Sequence, residues 1–319
     1  MSTKNLDREL AKIAPFMAPV GFLMSRRWGL KLFHSGTQRA RGKHLKGAYN
    51  EERRIPSNHG GPDIRIRIFR PAHTDAPLPV LVYYHGGGYT VGCPEMALDT
   101  IQSFMTARPC VVVAPDYRKA LTDPFPAGFN DCYDTLLWAT EHAQEIGGRT
   151  DGVIIAGHSA GGGMTAAVTL KARDTGDAKI AFQMPIYPMI DDRQTSASSQ
   201  LDKVPVWNSR TNQLGWASYL RHLHQTGQEV PVYAAPARNS DYSRFPPTIT
   251  FVGDQEPFLD ETVQYVNQLK EAGIPVRFKL FQGAFHGFDQ IARKTKIGKA
   301  ALDFTYDSYA AYYDEYCAT

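Results

Sequence analysis

Cysteine is scarce in this 319-residue chain, with four in all: Cys93, Cys110, Cys132 and Cys317. Their spacing matches neither a metal-ligand pattern nor a dense disulfide framework, which excludes a small stapled secreted domain and points to a reducing compartment. Cys110 and Cys132 sit in apolar segments, where a free thiol behaves as a small hydrophobe. Long apolar runs are missing too. The nearest, residues 13–24, is interrupted by Pro15 and Pro19 and is too short to span a bilayer. It follows Asp7 and Glu9, whereas a secretory leader starts basic. It reads instead as an apolar segment able to cover a pocket, and the expectation is a cytoplasmic protein without stable membrane insertion. Net charge is small: 35 basic against 32 acidic residues leave +3, too little to argue for nucleic acid or an anionic membrane as partner. A basic cluster (Arg26, Arg27, Lys31, Arg39, Arg41, Lys43 and Lys46) reads as a solvated helix face and loop. No segment repeats or is of low complexity.

What the chain does have is a rhythm of short apolar runs. Residues 1–50 read as amphipathic helices broken by the prolines. Ile64, Ile66 and Ile68 then alternate with Arg65, Arg67 and Arg70, the pattern of a half-buried strand with one polar face. Dense runs follow at 80–84, 111–114, 153–156, 181–184, 248–252 and 277–281, as expected of strands buried on both faces. Helical spacing separates several of them, at 130–145 (Tyr133, Leu136, Leu137) and 262–272 (Val263, Val266, Leu269), with Gly147-Gly148 and Gly273 as stops. Strands alternating with helices predict an α/β fold with a mostly parallel, doubly wound sheet. Residues 195–243 break the rhythm: they are long, rich in Ser, Gln, Trp and His, and hold no buried strand. Such a connection is usually functional, and it groups with the N-terminal helices as a cap. The expected organisation is cap helices at 1–50 and a catalytic domain at 51–319 with a cap insertion at 195–243.

Four segments carry chemistry. Gly157-His158-Ser159-Ala160-Gly161 follows a buried run and precedes a plausible helix. A tight strand-to-helix turn needs small flanking residues, and it exposes the serine hydroxyl at a helix N-terminus. His85-Gly86-Gly87-Gly88 follows another buried run; glycines there let backbone N–H groups approach the oxyanion of an acyl-transfer intermediate. His286 comes last, in Ala284-Phe285-His286-Gly287-Phe288, where a general base belongs in this order of motifs. The acid that orients it should follow the 248–252 run, and the residues themselves leave Asp254, Glu256 and Asp260 as candidates. Asp260 and Glu261 also suit the first turn of a helix. His85 and His158 read as loop-shaping, and His222 and His224 are two apart and share no helix face.

These motifs resemble those of the hormone-sensitive-lipase-like carboxylesterases, the bacterial family IV type, of the α/β-hydrolase superfamily. The resemblance also rests on Asp116-Tyr117-Arg118, Pro124-Phe125-Pro126-Ala127 and His286-Gly287-Phe288, and spans about 55–292. It implies an α/β-hydrolase fold: a mostly parallel central sheet flanked by helices, with a helical cap. It implies the acid of an acid-Pro-Leu-x-Asp-Glu motif, which is Glu256 in Glu256-Pro257-Phe258-Leu259-Asp260-Glu261, although aspartate is commoner there. It implies an oxyanion hole from the N–H groups of Gly87, Gly88 and Ala160. Lys119-Ala120-Leu121-Thr122-Asp123 departs from the family's usual Leu-Ala-Pro-Glu-His and predicts a changed loop near the pocket.

The implied activity is hydrolysis of short-chain acyl or acetyl esters by Ser159, His286 and Glu256, with a small-molecule ester as partner and no metal or organic cofactor. The same mechanism serves a lactone, amide or carbamate; a binding protein that has lost catalysis is the reading from a different class. Phe16, Phe22, Trp28, Trp207 and Trp216 are candidate pocket walls, with Trp207 and Tyr187 as candidate substrate contacts. The tyrosines at 306, 309, 312, 313 and 316 suit packing within the chain or a dimer contact, so a monomer or a homodimer is expected.

Overall fold

The computed structural model describes residues 5–74 and 76–317. Eight strands form one sheet: β1 (Ala48–Ile55), β2 (Ile64–Pro71), β3 (Leu78–Tyr84), β4 (Val111–Pro115), β5 (Gly148–His158), β6 (Ile180–Ile186), β7 (Thr248–Gln255) and β8 (Val276–Phe285). Ten α-helices accompany them: α1 (Leu10–Met24), α2 (Arg27–Thr37), α3 (Leu98–Ala107), α4 (Ala127–Glu141), α5 (Ala160–Thr175), α6 (Ser209–Tyr219), α7 (Arg221–Thr226), α8 (Leu259–Glu271), α9 (Phe288–Ile291) and α10 (Lys296–Tyr316). The sheet order is β1-β2-β4-β3-β5-β6-β7-β8. The β1–β2 and β2–β4 pairs are antiparallel, and every other pair is parallel.

Apolar residues fill both faces of the central strands. Val80, Val82 and Tyr84 of β3 belong to one core, with α4 and α5; Leu81 and Tyr83 belong to the other, with α3 and α10. A strand buried on both sides needs no polar alternation, so these runs read as continuous. The chain passes from β3 outward to β4, then returns past β3 to β5. The order therefore reverses between β3 and β5, and a crevice opens at the carboxyl ends of such strands.

Three expectations need correction. The first 50 residues are not all helical, because β1 starts at Ala48. Its residues are mostly polar and it lies at the sheet edge, where one face needs no apolar pattern. Pro15 and Pro19 do not break α1, which runs through both. Both prolines lie on its exposed side, so the carbonyls they leave without a donor can meet water. The polar face of β2 is not solvated: Arg65 and Arg67 are buried. Both guanidiniums bond the buried Glu95 carboxylate, Arg67 at 2.7 Å, and Arg65 also reaches Asp116 at 3.2 Å. Burial alone would raise the Glu95 carboxyl; hydrogen bonds from Arg65 and the Gly42 N–H outweigh it and hold the group down at about 2.

The four cysteines are buried and free. The C-terminal tyrosines pack inward: Tyr309 and Tyr312 are buried, with ring contacts to Phe104 and Phe182. Among the described residues, no helix is long and apolar enough to cross a membrane.

Candidate active site

Four parallel strands end at one edge of the sheet, and each hands over directly to a motif residue. Tyr84 of β3 leads to His85, His158 of β5 to Ser159, Gln255 of β7 to Glu256, and Phe285 of β8 to His286. Residues far apart in sequence meet there because the strands run parallel and lie close in the sheet, with only β6 between β5 and β7.

Ser159 is the pivot between β5 and α5, with φ 59° and ψ −122°. That backbone is strained for a residue with a Cβ. It is held by hydrogen bonds at both ends: Ser159 N–H donates to Ile186 O at 3.0 Å, and Gly163 and Met189 N–H donate to Ser159 O. The flanking glycines are needed for packing. A Cβ on Gly157 would sit 2.3 Å from Gly161 O, and one on Gly161 would sit 2.0 Å from Tyr84 O.

The hydroxyl of Ser159 lies 2.8 Å from His286 Nε2. On the ring's other side, His286 Nδ1 is 2.5 Å from Glu256 Oε2. Glu256 is fully buried, and its second oxygen accepts from Gly253 N–H at 3.1 Å. The other acids at and after the end of β7 point elsewhere. Asp254 accepts from Gly283 N–H at 2.7 Å, bracing β7 against β8. Asp260 accepts from Ser198 N–H at 2.8 Å. Glu261 accepts from Ile190 N–H; burial raises its carboxyl well above the usual carboxylate range. Of the three candidates, the structure brings Glu256 alone to the histidine.

The glycine loop turns with φ 128° at Gly87 and 57° at Gly88. Thr90 and Val91 N–H close it by donating to Gly87 O. Among the described residues, the N–H groups of Gly87, Gly88 and Ala160 donate to no protein acceptor. Gly86, next in the loop, lies against Ser159: a Cβ there would be 3.5 Å from the serine Cβ. Ala160 is the first residue of α5, where N–H groups have no partner within the helix and favour negative charge.

A cavity of about 410 Å³ opens over these groups. Ser159, His286, Gly87 and Gly88 line it, as do Trp207 and Tyr187. The aromatic walls differ from expectation. Phe16, Phe22 and Trp28 are exposed and do not line it; Met17, Val20 and Met24 from α1 and Phe33 from α2 do. Trp216 is buried against Tyr89 and Tyr219 instead. The 119–123 loop does not line the cavity but adjoins it, with Ala120 N–H donating to Tyr89 O just after the glycine loop. Lys119 is buried behind the glycine loop, 3.1 Å from Asp116 Oδ1, and its charge adds to burial in pushing His85 down to about 3.

One polar group of the wall was not anticipated from the sequence. His158 Nδ1 pairs with Tyr83 Oη at 2.9 Å, and Tyr187 Oη donates to Asp289 at 2.8 Å. Asp289 Oδ2 lies 3.8 Å from His158 Nε2. Burial pushes His158 down to about 4, so it is neutral near pH 7. The only signal in the sequence was the histidine inside the serine motif. Backbone strain gathers here as well: Ser159, Tyr187 and Val206, three of the six described non-glycine residues with positive φ, all line the cavity. Among the described residues, no group of three or more His, Cys, Asp and Glu side chains is placed to hold a metal ion.

A family model described as alpha/beta hydrolase fold matches residues 81–290. The carboxylesterase NlhH of Mycobacterium tuberculosis is 32% identical over 244 residues, 76% of each chain. The ethyl acetate hydrolase of Pseudomonas putida is 28% identical over 236 residues, 72% of each. Among solved structures, a bacterial heroin esterase superposes with a TM-score of 0.87 at 29% identity, covering 98% of this chain and 99% of that one.

Proposed function

Because this chain belongs to the α/β-hydrolase family, in its hormone-sensitive-lipase-like branch, we propose that it hydrolyses carboxylic esters through an acyl-enzyme on Ser159. The observation that carries the reading is the hydrogen-bonded line from Ser159 Oγ through the His286 ring to Glu256. His286 Nε2 takes the serine proton as Oγ attacks the ester carbonyl carbon. Glu256 holds the Nδ1–H tautomer and stabilises the imidazolium. The tetrahedral oxyanion is received by the N–H groups of Gly87, Gly88 and Ala160, which have no acceptor of their own among the described residues. The alcohol leaves with the proton from His286, and water then attacks the acyl carbon by the same route. A glutamate serves where aspartate is usual because the role asks only for a carboxylate held at Nδ1.

The cavity's size and its apolar walls from Met17, Val20, Phe33 and Trp207 suit a small acyl ester. Trp207 lies against Gly88 and Tyr187 against the His286 ring, so both are substrate-facing positions. Residues 5–47 with 195–243 act as the cap; Gly21 of α1 lies against Val206 and Asn208 of the connection. Four buried free thiols fit a reducing compartment such as the cytoplasm.

The test is Ser159→Ala on p-nitrophenyl acetate. We expect turnover to fall by about 10⁴-fold or more and fluorophosphonate labelling to disappear. Unchanged turnover would discard the mechanism, and failure of the native chain to label would favour a binding protein.

A further inference from the structure

Helix α1 is apolar all round: among its 15 residues only Lys12 is charged. Such a helix is ordinarily buried, yet α1 lies on the surface. Its inner face, Met17, Val20 and Met24, lines the cavity. At 100° per residue, the opposite face carries Pro15, Phe16, Ala18, Pro19 and Phe22, all exposed. Phe16 is 76% exposed and Phe22 59%. On α2, Trp28 and Leu32 are 59% and 60% exposed, one helical turn apart, beside exposed Arg27 and Lys31. Of the eight large exposed hydrophobics described, these two helices hold four, and two more, Met96 and Ile291, line the cavity.

The charge on the same segment is one-sided. Residues 10–50 contain eight of the 35 basic side chains and none of the 32 acidic ones. They therefore carry +8, and the rest of the chain −5, within a whole-chain +3. Among the described residues, Arg41 is the one of these cations with a carboxylate partner, Asp116. The part of the connection packed beside α1 adds Lys203 and Arg210 against one acid, Asp202.

We infer that the outer face of α1 and α2 is a docking surface for an anionic phospholipid bilayer. Exposed Phe, Trp and Leu beside unpaired Lys and Arg are the signature of a helix lying in a lipid–water interface. A second copy of this chain is disfavoured on this face, because it would set the exposed Arg27 and Lys31 against their own kind with no acid within 10–50 to offset them. The docking is peripheral, since no described helix is long and apolar enough to cross a membrane. It places a lipid surface about one helix diameter, roughly 10 Å, from the substrate cavity that α1 walls.

The test is co-sedimentation of the full chain with vesicles of phosphatidylcholine alone and of an equimolar phosphatidylcholine–phosphatidylglycerol mixture. We expect binding to the mixed vesicles only, with loss at high salt and a blue shift of Trp28 emission. Each basic side chain near an anionic surface strengthens binding by roughly fivefold, so Arg27→Glu with Lys31→Glu should weaken it about tenfold or more. Phe16→Ser with Phe22→Ser should weaken it although the charge is intact. The charge variant should keep its turnover of soluble p-nitrophenyl acetate, which separates lost docking from misfolding. Absence of binding to the mixed vesicles overturns the inference. Equal binding by both variants and the native chain overturns it as well. So does a concentration-dependent dimer in sedimentation velocity that the Phe16→Ser, Phe22→Ser variant dissolves, which would give the face to a second copy. The assay reads partitioning, so Ser159→Ala should bind like the native chain whether or not the ester-hydrolase reading holds.

Discussion

Ser159, His286 and Glu256 stand at 8%, 5% and 0% exposure on turns that leave the parallel strands of the sheet. The opposite wall of the same cavity, Met17, Val20 and Phe33, stands on two surface helices whose outer side chains reach 76% exposure. The floor is over-determined: the reacting groups leave neighbouring strands, backbone hydrogen bonds hold Ser159, and Gly157, Gly161 and Gly253 beside them admit no Cβ. The roof rests on fewer anchors: α1 packs on α2 and β8, and its Gly21 lies against residues 206–208. Chemistry needs fixed distances and therefore sits on the sheet. Selection of a substrate or a surface tolerates adjustment and sits on the helices.

Four measurements would break or sharpen that contrast. The largest effect is expected on the floor. Glu256→Ala should cut kcat by about 10³- to 10⁴-fold, while Asp254→Ala should act mainly on stability through its bond to Gly283 N–H. A severe catalytic loss confined to Asp254→Ala would reassign the acid. Gly87→Ala comes next. Its Cβ would lie 2.1 Å from Val91 O at a φ of 128°, so the loop must move and an oxyanion donor is misplaced. A drop of about 10²- to 10³-fold in kcat with little change in KM is expected; a change in KM alone would remove the loop from the chemistry.

The third measurement is acid sensitivity. His85 and His158 are held neutral in the fold, at about 3 and about 4. An unfolded histidine takes its proton near 6.5. Both folded values lie below the unfolded one, so this contribution to stability is complete above pH 6.5. It is lost as pH falls toward 4, by up to about 1.4 kcal/mol per pH unit for each histidine. Urea midpoints at pH 7, 6 and 5 read it, and a His158→Gln variant should flatten the slope. A slope that this substitution leaves unchanged would remove His158 from it. The smallest effect belongs to the roof. Trp207→Ala should leave acetyl ester turnover within about tenfold while shifting the chain-length optimum upward, since the loss or gain of a methylene contact is worth roughly 10- to 200-fold in selectivity. A loss as deep as that of Glu256→Ala would place Trp207 among the fixed parts of the floor.

Much of the floor was legible in the sequence because its constraints are local. A strand buried on both faces must be apolar throughout, and a strand-to-helix turn as tight as that at Ser159 must be flanked by small residues. Those rules mark 80–88 and 153–163 without reference to the rest of the chain. The polar parts were less legible. β1 is an edge strand with little apolar pattern, and Arg65 and Arg67 look solvated until Glu95, some thirty residues on, is placed between them. The link between His158, Tyr83 and Asp289 joins three elements and has no spacing of its own.

Taken alone, the sequence determined the kind of chemistry on offer: a serine, glycine N–H donors, a late histidine and a set of acids, each at the end of a buried run. The tertiary structure decided which acid reaches the ring and which aromatic residues meet the cavity. Asp254, Glu256 and Asp260 lie within seven residues, and what separates them is the direction each carboxylate takes as the chain leaves β7. Phe16 and Met17 are adjacent, and what separates them is 100° of helical rotation about an axis that only packing orients.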